Sequence, residues 1–181
     1  MQIISSEELG RRLDITPEQI RKDLATFGQF GRKGIGYDVS ELKDRISNIL
    51  GLQNRWKLAI VGVGHLGGAL ANYVNFAPLG FSVVALFDNN PKIVGTQING
   101  IKVSNITTLK RTIKSRKVDI GVISVPDYAA QFVADALVEA GIKGIWNFAP
   151  TKLNVPPTVP LVNEDLSIGL SALSYHMSTS E

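Results

Sequence analysis

Hydrophobic and polar positions along this chain change their period near residue 57. Before it, helix-start signals come in quick succession: Ser5 stands three residues ahead of Glu8, and Thr16 is followed by Pro17 and, three residues on, by Gln19. These predict helices over Ser6–Leu13 and Pro17–Thr26. Only a short turn at Asp14-Ile15 separates them, a spacing that suits a helix-turn-helix, and Gly28 is placed to stop the second. Residues 27–39 alternate aromatics with glycines around Arg32-Lys33, which predicts a β-hairpin wing. Ser40 is then expected to cap a helix running to Leu50, with Gly51 to Trp56 as a linker.

From Lys57 the pattern becomes short apolar runs alternating with helical stretches. The runs are 58–61, 83–87, 120–125 and 144–147, and being apolar on both faces they predict a buried parallel sheet. Helices are expected near 68–75, 106–115 and 128–140. After the break at Pro156-Pro157 and Pro160, a last helix is expected over 163–177, with Leu166, Leu170, Leu173 and Met177 on one stripe. The expected fold is α/β: a small winged-helix domain over residues 1–51, a Rossmann-type doubly wound sheet over 57–162, and a C-terminal helix over 163–181.

Composition narrows the function classes. The chain has 181 residues and no cysteine, so it has no disulfide frame, thiolate metal site or cysteine nucleophile, and the expected location is the cytoplasm. No apolar run is long enough to span a bilayer, and no membrane partner is expected. A net charge of +3 says little by itself. The grouping of Arg21-Lys22 and of Arg32-Lys33 says more, because the placement of cations makes an electrostatic footprint.

The chemistry lies in one turn. Gly62-Val63-Gly64-His65-Leu66-Gly67 has G-x-G-x-x-G spacing, directly after an apolar strand and at the mouth of a helix. In that context the first glycine permits the tight turn, the second lets backbone approach a pyrophosphate, and the third allows helix and strand to touch. Asp88 ends the second strand at the distance expected of an acid that accepts from ribose hydroxyls. It would repel the extra phosphate of NADP, and Asn89-Asn90 offers no arginine, so NAD and NADH are the expected ligands. Val125-Pro126 and Asn147-Phe148-Ala149 follow later strands at their carboxyl ends, where open α/β sheets bind ligands. His65 is read as a solvent-facing loop residue, not a catalyst. With His176 as the other histidine, and about thirty residues after the sheet, there is neither an evident proton donor nor room for a substrate domain. No catalytic or metal-binding set and no substrate beyond NAD(H) is expected. The competing readings are an NAD-dependent oxidoreductase and a truncated NAD(H)-binding paralogue without DNA binding.

The order Ser5-Ser6-Glu7-Glu8-Leu9, Gln19-Ile20-Arg21-Lys22-Asp23-Leu24, Phe27-Gly28, Gly34-Ile35-Gly36-Tyr37, the phosphate loop, Phe87-Asp88, residues 141–145 and Asn147-Phe148-Ala149-Pro150 resembles the Rex family of redox-sensing transcriptional repressors over almost the whole chain. The resemblance implies a homodimer that binds operator DNA, expected to be palindromic, and leaves it when NADH occupies the Rossmann site. It implies Arg21 and Lys22 on a recognition helix, and Lys33 with Arg32 at a wing tip near the minor groove. It also implies that the last helix is exchanged between subunits, and that Tyr73 and Asp165 lie near the nicotinamide and the domain interface. Two departures stand out. Leu166 replaces an aromatic that several relatives set against the nicotinamide, and the helix that family members place before the Ser5-Ser6 element is missing.

Overall fold

The computed structural model describes residues 2–28, 30–31 and 34–179, and the chain divides into two compact units, 1–54 and 55–181. In the first, helices α1 (Ser6–Leu13) and α2 (Pro17–Thr26) begin where the sequence signals place them. Ser5 Oγ accepts from the Glu8 N–H at 3.1 Å, and Thr16 Oγ1 accepts from the Gln19 N–H at 3.2 Å. Each satisfies one of the amides that a helix start leaves without an intrahelical partner. Gly10 lets the two helices close up, because a Cβ there would come within 2.4 Å of the Ile15 carbonyl oxygen.

Part of the hairpin expected within 27–39 lies outside the described residues; its strand at Tyr37–Asp38 is described, and that strand pairs with the N-terminal segment. The ribbon is made by β1 (Ile3–Ile4) and β2 (Tyr37–Asp38), antiparallel, with Ile4 opposite Tyr37. Gly31 and Gly36 both have positive φ, and a Cβ on Gly31 would strike the Gly36 carbonyl oxygen at 2.5 Å, so the two glycines lie against each other. Gln29, Arg32 and Lys33 lie outside the described residues. Helix α3 (Val39–Ile49) is capped by Asp38 and not by Ser40: the Asp38 carboxylate accepts from the Glu41 N–H at 2.9 Å.

The second unit is a seven-stranded sheet. Its strands are β3 (Trp56–Val61), β4 (Phe81–Asp88), β5 (Gln97–Ile98), β6 (Ile101–Asn105), β7 (Ile120–Ile123), β8 (Gly144–Asn147) and β9 (Leu161–Asn163). The spatial order is β5-β6-β4-β3-β7-β8-β9, parallel except for the short edge strand β5. Without β5 this is the 3-2-1-4-5-6 order of a doubly wound dinucleotide fold, which reverses direction between β3 and β7. Helices α4 (His65–Ala71), α5 (Leu109–Arg116) and α6 (Asp127–Glu139) cross between strands. Ala59, Ile60, Phe87 and Ile123 are fully buried, as strands covered on both faces require.

The sequence reading missed β6 and β9 and began the last helix too early. Asn163 ends β9, paired with Asn147, and the helix α7 spans Ser167–Ser178. Every described residue of α7 is exposed, including Leu170, Leu173 and Met177.

At the amino ends of the strands, Asp119 accepts from the Lys57 N–H at 3.1 Å and is paired with Lys143 at 2.7 Å. Burial by itself pushes this carboxyl up. The Lys143 ammonium and the Lys57 amide outweigh burial and hold it below the usual aspartate range. A depressed folded value gives stability that is present above the ordinary aspartate pKa of about 3.9 and is lost as pH falls through the lower folded value. Lys143→Met is therefore expected to lower stability at neutral pH and to flatten the loss of stability on acidification below about pH 4. Urea titrations at a series of pH values measure both.

Candidate functional site

The site is built where the strand order reverses. Strand β3 ends in Gly62, whose φ of +89° turns the chain, and whose absent Cβ would otherwise lie 2.6 Å from the Ser124 carbonyl oxygen. Gly67 sits in the first turn of α4, and a Cβ there would fall 1.9 Å from the Gly62 carbonyl oxygen. Gly64 is different: nothing lies within 4 Å of its Cβ position. Two of the glycines thus serve packing within the protein, whereas the third keeps open space beside the backbone. That division matches what a pyrophosphate cradle needs. Gly64 is the N-cap of α4 and no side chain caps the helix, so its leading amides remain directed at the cradle.

The turn is held from both sides. The Gly62 N–H donates to the Phe87 carbonyl at 2.8 Å, and the Ser124 hydroxyl donates to the Gly62 carbonyl at 2.8 Å. Asp88 Oδ2 accepts from the Val63 N–H at 2.7 Å, while Oδ1 accepts from the Asn90 N–H at 2.8 Å. Each carboxylate oxygen keeps further lone-pair capacity, so the acid can brace the loop and still accept from a sugar.

A cleft of about 310 Å3 opens here, and among its lining residues are Gly62, Gly64, Asp88, Val125 and Pro126. Ser124, Ile106, Tyr128 and Phe132, which sequence reasoning did not single out, also line it. Ser124 carries no motif signal, and although the helix expected near 128–140 already sets Tyr128 and Phe132 one turn apart, which face of it meets the cleft is decided by how α6 packs on the sheet. The lining contains no lysine, arginine or histidine. The donors described there are backbone amides and the neutral side chains of Asn89, Asn90, Ser124 and Tyr128.

Other expected site residues lie outside that lining. Val63, His65, Leu66 and Gly67 form the turn and the first residues of α4. Asn147 is fully buried, and its amide is spent internally: Nδ2 donates to the Ala149 and Thr151 carbonyls and to Asn163 Oδ1, and Oδ1 accepts from the Ala149 N–H. It shapes the 147–151 loop. Phe148 belongs to an aromatic row with Trp146 (4.5 Å between centroids), Phe76 (6.2 Å from Trp146) and Tyr73 (4.9 Å from Phe76). Tyr73, half exposed at 51%, is thus tied to the far end of β8. Asp165 accepts from the Ser167 hydroxyl and N–H, which hold its carboxyl below the usual range, and Leu166 beside it is exposed.

In the N-terminal unit, Arg21 is turned toward α1. Its guanidinium donates to Ser6 Oγ at 2.9 Å and lies 3.6 Å from Glu7 Oε1. The Lys22 side chain is exposed and enters no ion pair among the described residues. The proposed wing cations Arg32 and Lys33 lie outside the described residues.

Comparison with known proteins agrees with this architecture. Residues 53–151 match a family described as a CoA binding domain, and residues 1–25 match one described as the N-terminus of a putative DNA-binding protein. The chain is 45% identical to a redox-sensing transcriptional repressor Rex of Desulfitobacterium hafniense, covering 97% of this chain and 84% of that one. It is 48% identical to one from Clostridium botulinum, covering 98% and 85%. Among solved structures, it resembles RSP in complex with β-NAD+ and operator DNA, with a TM-score of 0.92, 44% identity, and coverage of 98% of this chain and 82% of that one. It also resembles RSP in complex with β-NADH, with a TM-score of 0.87, 42% identity, and coverage of 98% and 83%.

The three glycines yield a graded expectation. Gly67→Ala forces a methyl group into the Gly62 carbonyl and is expected to destabilise the 55–181 unit by several kcal/mol, in the manner of a strained backbone substitution. Gly64→Ala meets nothing and should leave thermal unfolding within about 0.5 kcal/mol of the parent. Calorimetry on the two variants checks the contrast.

Proposed function

This chain belongs to the Rex family of redox-sensing transcriptional repressors, and from that premise we propose how its residues divide the work. It binds operator DNA and reads the ratio of NADH to NAD through its Rossmann unit. In our reading residues 1–51 hold the operator, with Arg21 and Lys22 of α2 in the major groove and Arg32 and Lys33 at the wing. Residues 57–162 hold the dinucleotide. The helix in residues 163–181 joins two subunits, a role supported by the full exposure of α7 and its apolar side chains.

The observation that carries the ligand assignment is the open Cβ position of Gly64 beside a braced Asp88 at the strand-order reversal. Backbone amides receive the pyrophosphate, and the carboxylate receives ribose hydroxyls. A phosphate on that ribose, as in NADP or coenzyme A, would face the Asp88 carboxylate with no lysine or arginine in the lining to compensate. The adenosine and pyrophosphate contacts are common to both redox forms, so discrimination falls to the nicotinamide. A neutral dihydronicotinamide enters an apolar wall of Tyr73, Phe148 and Leu166 more cheaply than the oxidised cation. Turning this preference into release of DNA takes about 5 kcal/mol of differential binding between the two dimer arrangements.

We assign the chain no enzymatic activity. The relatives are repressors by name, and in our reading Asp88 braces the turn and receives the ribose, which leaves it no role as a proton donor. A repressor acts where its operator is, which places it in the cytoplasm.

Fluorescence anisotropy on a palindromic duplex selected by the protein tests the whole reading. The expected result is a dimer–DNA complex dispersed by NADH and far less by NAD. A folded dimer that binds no duplex in either condition, or steady oxidation of NADH at 340 nm with a carbonyl compound, counts against it. Asp88→Ala removes charged acceptors worth about 1.5–3 kcal/mol and is expected to weaken NADH roughly ten- to a hundred-fold, leaving DNA bound but less responsive.

A further inference from the structure

Cations in the nucleotide-binding unit are unevenly placed. Between Asn89 and Val118 the chain has no aspartate or glutamate, yet it carries Lys92, Lys102, Lys110, Arg111, Lys114, Arg116 and Lys117. Five of these belong to α5 or to Lys117, the residue that ends it in the left-handed conformation with φ 53°. Leu109 and Ile113 face the core at 1% and 2% exposure, and the five cations face outward.

Some of this charge is used locally. Lys110 pairs with Glu139 of α6, the Arg116 guanidinium donates to the Val84 carbonyl, and cations in the last turn complement the helix dipole. Arg111, Lys114 and Lys117 are not used in this way: among the described residues none of their side chains enters an ion pair or a hydrogen bond. Spaced three residues apart, they form one row. The Lys57 ammonium donates to the Arg116 carbonyl at 3.2 Å, so the row runs down to the amino ends of the strands, where Lys143 also lies. The one carboxylate described there, Asp119, is already taken by Lys143 and the Lys57 amide.

Resting on the repressor reading above, we propose that Arg111, Lys114 and Lys117 form a second, sequence-independent DNA contact that holds phosphates flanking the operator. The chemistry of the face favours this over a protein partner. A protein interface core is depleted in lysine and anchored by aromatics or methionine, and no exposed apolar side chain interleaves the cations of α5. A polyanion needs only the cations, on a rigid support, with their counter-charge missing. Lys117 ends the row at the end of the sheet opposite the nucleotide cleft, and none of the three cations lines that cleft, so DNA and dinucleotide do not compete for the same side chains.

The test compares a short operator duplex with the same operator extended by about fifteen base pairs, roughly 50 Å, at each end. The protein is the full chain and its variant R111Q/K114Q/K117N. Glutamine keeps helix propensity, and asparagine suits the left-handed cap. Both proteins should unfold at the same temperature, bind NADH equally and bind the short duplex equally. On the long duplex the parent should bind more tightly than on the short one. The variant should lose that gain, and its plot of log affinity against log salt should be shallower by about 0.9 per lost contact, or about 2.7 for three contacts in one subunit. Equal affinity and equal salt slope on the long duplex, with the short duplex still bound and released by NADH, overturns the proposal and leaves the repressor reading intact. Failure of the parent to bind the short duplex removes the repressor reading itself. Binding of poly-glutamate that the variant abolishes, with unchanged DNA binding, overturns the proposal in favour of an acidic protein partner.

Discussion

In the turn between β3 and α4 the carbonyl oxygen of Gly62 occupies space that any side chain at position 67 would need. This contact lets the helix start against the strand end, and the nucleotide site depends on it. Strand β4 supplies Asp88 to the Val63 amide and the Phe87 carbonyl to the Gly62 amide, while β7 supplies the Ser124 hydroxyl to the Gly62 carbonyl. The loop is therefore held rigidly by strands on both sides. Its one unconstrained position, Gly64, faces the open cleft.

Rigidity at the phosphate turn contrasts with the region to which we have assigned the nicotinamide. There the aromatic row from Tyr73 to Phe148 ends in a half-exposed ring, and Leu166 projects from the start of an entirely exposed helix. The phosphate turn is thus fixed within the folded subunit, whereas Tyr73 and Leu166 keep exposed surface. In the proposed dimer a second subunit's α7 covers that surface, and burial of the same apolar side chains links ligand identity to subunit arrangement.

Asn147 illustrates how a residue singled out for a ligand site also holds a loop in place. Sequence reasoning set it beside Phe148 and Ala149 because ligands bind at strand ends. Its side chain joins the 149–151 loop to β9, with no exposed surface. Buried amides of this kind must be fully paired, and pairing fixes a loop more tightly than apolar contact does.

The glycine spacing, Asp88 and the caps at Ser5 and Thr16 were legible in the sequence because each is a local requirement: a turn angle, an acid at a strand end, an amide left over at a helix start. The apolar runs of β3, β4, β7 and β8 were legible for a similar reason, since strands covered on both faces tolerate little else. Strands β6 and β9 were not, because they are short and mixed in polarity, and their place at the flanks of the sheet comes from pairing with β4 and β8. Nor was the ribbon partner of β2, which is thirty-odd residues away at Ile3–Ile4, or the inward turn of Arg21 onto Ser6. Contacts across such separations depend on which edges and pockets the rest of the chain leaves open, and that is decided only when the whole unit packs.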